Sequence, residues 1–252
     1  MKLLQAMVMR EIQMMKSYMF NFLSGLITVV IIFSILLFGA RFAMGNSTNL
    51  GNTTEALVVG FFLWSWLLGG MNTLTWGITT EAEQGTLEQL YMSPYGFRLV
   101  SLAMLGVSFL SNLLFTIPLL LIIMLISGKF LHIDVLTVGF ILFFTILPAY
   151  GLGYVFGGLA LLYKRIQSLF QILNMGVVAF FLLPPGVLDI IPFTGGYHLL
   201  SMSMRENLGL LQLPLPKVII LMVSSILVFL SGMWIYSLIE KRVKFLGILG
   251  HY

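Results

Sequence analysis

Few side chains in this sequence are of types that do chemistry, and they are unevenly placed. Three of the nine acidic residues, Glu81, Glu83 and Glu88, fall in one polar stretch, Thr79 to Pro94 (TTEAEQGTLEQLYMSP), which separates two long apolar runs. Carboxylates so grouped suit an acidic surface offered to a basic or polar partner. The three histidines, His132, His198 and His251, are scattered. There is no cysteine, hence no disulfide framework and no thiolate metal site. No GxxxxGKS/T phosphate loop, HExxH or GxSxG occurs, so neither nucleotide binding by that loop nor the hydrolase chemistry of those motifs is expected of this chain.

The acidic stretch reads as a short helix over 79–94. Thr80 and Glu83 have capping-box spacing, which would satisfy the first free backbone amides, and Pro94 ends the helix because proline cannot continue one. At about 100° per residue, Glu81, Gln84, Gly85 and Glu88 share one face, and Leu87, Leu90 and Tyr91 the other. Such a helix packs on a larger body through its leucines and presents acid outward.

The larger body is apolar. The chain has 252 residues, 59% hydrophobic and 9% charged, against roughly a quarter charged in a soluble domain. Runs free of Asp, Glu, Lys and Arg occupy 17–40, 56–78, 99–127, 135–163, 166–188 and 218–239. Each exceeds the roughly 20 residues that cross about 30 Å of hydrocarbon as helix. Barrel strands alternate apolar with polar, which these unbroken runs do not. The expectation is one all-α integral membrane domain over 1–252 with six transmembrane helices. Proton- and ion-coupled carriers usually bury a charge in their spans, so energy for any pumping must come from elsewhere.

Net charge is +4, but the basic residues sit at the ends of apolar runs rather than in a patch, so nucleic acid is not expected. With both termini inside, nine basic residues are cytoplasmic (Lys2, Arg10, Lys16, Arg98, Lys164, Arg165, Lys241, Arg242, Lys244) and four are outside (Arg41, Lys129, Arg205, Lys217). That bias follows the positive-inside rule and places the chain in the cell membrane, multi-pass, with cytoplasmic termini and an acidic helix on the cytoplasmic side.

Residues 1–16 form an amphipathic helix, with Leu3, Leu4, Met7, Val8, Ile12, Met14 and Met15 on one face and Lys2, Gln5, Arg10, Gln13 and Lys16 on the other. It suits the inner interface of anionic lipid. Glu11 falls within the apolar face, either paired with Arg10 or Lys16 or touching a partner. Arg41 to Glu55 is a polar outer loop with two acceptor-type triplets, beginning at Asn46 and Asn52. Trp76 reads as an interface anchor, whereas Trp64 and Trp66 either pack or line a pathway. Pro118 is expected to break the third span, and Lys129, His132 and Asp134 make a tight outer turn. Gly153 and Gly157 form GxxxG, for helix packing or a subunit interface. Residues 184–216 hold five of the eight prolines yet stay apolar, which suggests a re-entrant extracellular hairpin before the last span, its backbone covered by protein.

The string Glu83-Gln84-Gly85-Thr86-Leu87-Glu88-Gln89-Leu90 with Ser93-Pro94, lying between the second and third of six spans, resembles the signature of ABC-2-type transporter permeases. The layout of the whole chain is similar to that family as well. The resemblance implies a cytoplasmic coupling helix that contacts a separate ABC ATP-binding subunit through Glu81, Glu83, Gln84, Gly85, Thr86, Leu87, Glu88, Leu90 and Pro94. ATP and Mg would be bound on that partner chain, so this chain is a transport subunit with no cofactor of its own. Two permease copies, as homodimer or heterodimer, would enclose an export pathway, with the first and fifth spans in contact. The wording of the motif resembles the family's exporters of drugs and small amphiphiles more than its polysaccharide or teichoic-acid exporters. Pro192, Thr194 and Arg205 are similar to a further family segment, although Gly195-Gly196 and the distance to Arg205 depart from it. A passive channel or a membrane scaffold would share the composition, and the acidic stretch is what speaks against both.

Overall fold

The computed structural model describes residues 2–17, 19–44, 50–83, 91–92, 94–163, 167–177 and 187–246. Among them there is no strand. The helices are α1 (Lys2–Ser17), α2 (Met19–Met44), α3 (Leu50–Glu83), α4 (Gly96–Ser127), α5 (Val135–Tyr163), α6 (Gln167–Gly176), α7 (Pro192–Glu206) and α8 (Leu215–Leu246), with a 3-10 turn at Val187–Ile190 before α7. Among the described residues, five segments are long and apolar enough to cross a membrane: Met19–Phe42, Thr53–Glu81, Gly96–Ser127, Val135–Tyr163 and Leu215–Val243. Of the span expected at 166–188, the described part is the ten-residue α6 with Val177 and the start of the 3-10 turn. Residues 178–186, including Pro184 and Pro185, and the Lys164-Arg165 turn lie outside the described residues.

Among the described residues, most hydroxyls inside the spans find an acceptor on their own helix; the buried Ser225 Oγ is an exception. Thr28, Ser34, Thr75, Thr79 and Thr145 each donate to the carbonyl four residues earlier, the usual way a helix carries such side chains into hydrocarbon. Pro118 and Pro148 both lie inside continuous helices. The expected break at Pro118 does not occur, because one missing amide is tolerated where neighbouring helices pack around it. Gly128, at φ 68°, closes α4 in a Schellman motif: its amide donates to Leu125 O and that of Lys129 to Met124 O, both 3.3 Å.

Side-chain ties order the two ends of the bundle. Arg10 of α1 meets Glu81 at the end of α3, and Tyr91 meets Tyr236 near the end of α8; this is the α1 end. At the opposite end Arg41 donates to Ser127 O at 2.8 Å, and Glu55 receives Lys129 and Arg205. Thus α2 and α4 lead away from the α1 end, and α3, α5 and α8 return to it. The start of the chain and the end of α8 share a side.

Helix α5 is the centre. Gly153 and Gly157 lie against α3, where a Cβ on Gly157 would come 2.6 Å from Ile78 Cδ1. Gly151 faces α8, and a Cβ on Gly232 would stand 2.2 Å from Gly151 O. The GxxxG face therefore packs within the chain. Trp66, fully buried, donates its Nε1–H to Leu142 O at 3.1 Å, and Trp64 donates to Asn174 O at 3.2 Å, so both tryptophans are packed. By contrast α2 is the least buried of the candidate spans, with Phe20, Leu23, Ile27, Ile31 and Ile35 on the surface.

Two boundaries and one helix face differ from the sequence reading. Helix α3 begins at Leu50, so much of the expected polar loop 41–55 is helical, and residues 45–49 are outside the described set. It also runs through Thr80 to Glu83, so Thr80 and Glu83 are not the start of a new helix: the capping-box pattern falls inside α3 instead. In α1, the side turned to the bundle carries Met7, Glu11 and Met15, while Val8 and Ile12 stay exposed, as suits a helix whose apolar face meets lipid as well as protein.

Candidate functional site

The acidic stretch hangs between two anchors at the α1 end. The first is the last turn of α3. Glu81 continues the buried stripe of Ile78 and Leu74, three and seven residues back on the helix, and is itself buried. Its Oε1 accepts from Arg10 Nη2 at 2.5 Å. Glu81 is therefore not displayed outward with Gln84 and Glu88 as the face expected over 79–94 required. Its carboxylate is spent on α1, because its helical phase is set by the span upstream.

The second anchor is Tyr91. Its ring stacks on Phe97 at 4.9 Å, Phe97 stacks on Tyr236 at 5.0 Å, and the two tyrosine hydroxyls meet at 2.5 Å. Burial pushes the Tyr91 hydroxyl well above its usual range, against the opposing pull of Tyr236, so it stays neutral at any working pH. Tyr236 in turn touches Tyr154 edge-on at 5.5 Å, and Tyr154 O–H meets Ser101 Oγ at 2.8 Å. The aromatic chain links the return of the acidic stretch to α4, α5 and α8 together.

Of the residues expected to meet a partner, Glu83 is the last described residue of α3, and Pro94 lies exposed in the turn before Gly96. Gln84, Gly85, Thr86, Leu87, Glu88 and Leu90 lie outside the described residues. Beside the first anchor, α1, α3 and α4 enclose a half-open cavity of about 360 Å³ lined by Arg10, Glu11, Asn72, Thr73, Trp76, Thr80 and Ser108 among polar and aromatic groups, and by Met7, Met14, Met104 and Val107. Thr73 and Ser108 hydroxyls meet at 2.5 Å, and Trp76 donates to Asn72 Oδ1 at 3.0 Å.

Sequence reasoning missed the charge clusters of the opposite end. Asp189, almost wholly buried, accepts from His198 Nδ1 at 2.6 Å and pairs with Lys217 at 3.0 Å. Burial alone would raise its pKa, but those two partners outweigh it and hold the carboxyl below the usual range. Glu55 takes Lys129 at 3.1 Å and Arg205 at 3.5 Å. Thr194 is fully buried in α7, whose last turn carries Arg205. The only sequence signal was that so few charges occur in 184–216; spacings of 9 and 28 residues follow no helical period.

No family model matches the chain, and no curated protein matches it.

Proposed function

We propose that the chain is the membrane subunit of an ATP-driven exporter of the ABC-2 type, in which residues 79–94 receive a separate ATP-binding subunit. The observation that carries this reading is the double anchorage. A load applied to 84–90 would pass through Glu81–Arg10 into α1 and α3, and through Tyr91, Phe97 and Tyr236 into α4, α5 and α8. A solvated loop has no need of such ties. On this reading two copies, alike or different, form the pathway; the chain crosses the cell membrane six times with both termini in the cytoplasm; and α7 with the preceding 3-10 turn belongs to the re-entrant region. ATP and Mg sit on the partner, and the cargo is hydrophobic or amphiphilic.

The test is assembly. The detergent-solubilised wild type should co-purify with an ATPase, and Glu88→Lys should lose that ATPase while inserting normally. Gly85→Leu should lose it by bulk, since a glycine costing roughly 1 kcal/mol relative to alanine in a helix suggests a close backbone approach. Unchanged ATPase recovery with both variants would remove the proposal.

A further inference from the structure

The half-open cavity between α1, α3 and α4 measures about 360 Å³, within the roughly 300–1,000 Å³ of small-molecule sites. Its charge is decided by one pairing. Arg10 is the cation of the lining, and its guanidinium is engaged by Glu81, whose side chain is 10% exposed. Turning Arg10 toward an anion in the cavity would strip Glu81 of a charge partner in a buried position, the costly way to break such a pair. Glu11 also lines the cavity and has no ion-pair partner among the described residues. The carboxylate of Glu11 is thus the charge the cavity offers.

The remaining walls fit the same ligand. Trp76 lines the cavity and is 41% exposed, with its ring orientation fixed by the Nε1–H bond to Asn72. An exposed indole face attracts a cation through its quadrupole. Met7, Met14 and Met104 supply polarizable walls that adapt to shape. We infer that this cavity binds a monovalent organic cation on a flat apolar body, with Glu11 as counter-ion and the Trp76 indole as the surface it lies on. As a cargo site the cavity rests on the exporter reading; as a binding site it does not, and binding is therefore measured on the purified chain with no ATPase present.

The probe is ethidium, titrated by fluorescence against the full-length chain in neutral maltoside detergent, with fluorescein as the anionic counterpart. Ethidium should bind saturably and fluorescein should not. Glu11→Gln should weaken ethidium about tenfold, Trp76→Leu about three- to tenfold, and Glu11→Asp should keep most of the affinity, with circular dichroism showing unchanged helix content. The same ammonium chemistry is carried by lipid headgroups, so lysophosphatidylethanolamine is added as competitor. Displacement assigns the site to a headgroup, and no displacement assigns it to a free cation; either supports a cation site. Wild-type ethidium affinity in both Glu11→Gln and Trp76→Leu, or fluorescein bound as tightly as ethidium, overturns the inference.

Discussion

At residue scale, the Arg10–Glu81 pair fixes α1 to the end of the candidate span α3. Arg10 is 45% exposed at its side chain, so the coupling energy is screened, and about 1 kcal/mol is expected. A double-mutant cycle with Arg10→Ala and Glu81→Gln, read by thermal unfolding in detergent, should return that interaction energy. Arg10→Ala alone should cost more than Glu81→Gln, since it takes a cation away from a buried carboxylate. Asp189 makes a pH prediction. Its folded pKa lies below the ordinary 3.8, so its contribution to stability is fully present above that value and is lost as pH falls through the lower folded value. The unfolding midpoint should hold down to about pH 4 and drop as pH falls further, and Asp189→Asn should flatten the drop. It should not abolish it, because Asp134, bonded first by Thr137 and also by the Leu136 amide, is lowered in the same direction.

At the scale of elements, α5 is held by backbone contact rather than by side-chain fit. Gly232→Ala puts a Cβ into Gly151 O, where neither backbone can retreat, and should cost at least the roughly 1–3 kcal/mol of an overpacked core. Gly25→Ala on α2 meets nothing within 4 Å and should be neutral or slightly stabilising. Comparing the melting temperatures of the two variants checks this. The same contrast explains what was legible in the sequence. Charge-free length marks a span whatever its neighbours, and five spans were readable for that reason. Helix ends were not, because Asn52 to Glu55 could be loop or helix until Lys129 and Arg205 arrived to hold Glu55. The face of Glu81 was misjudged because it was compared with Gln84 and Glu88 downstream instead of Leu74 and Ile78 upstream. The Asp189 cluster depends on three segments meeting, and nothing local announces it.

For the whole molecule, the start of the chain, the acidic stretch and the end of α8 lie on one side, with the Glu55 and Asp189 clusters toward the other. In the absence of native cysteine, single cysteines can assign those sides. Leu211, 96% exposed at the far end, is the outside probe. A cysteine at Leu211 should react with an impermeant thiol reagent in intact cells and one at Gln89 should not; labelling at Gln89 would reverse the orientation and remove the acidic stretch from the cytoplasm. The central claim is that this stretch transmits ATP-driven work to the bundle. Its most direct test is the ATPase rate of the co-purified complex in lipid vesicles, measured with wild-type chain and with Glu88→Lys and Gly85→Leu reconstituted at equal amounts. The account predicts that the membrane subunit stimulates hydrolysis and that both variants lose the stimulation. Hydrolysis stimulated equally by all three would contradict it.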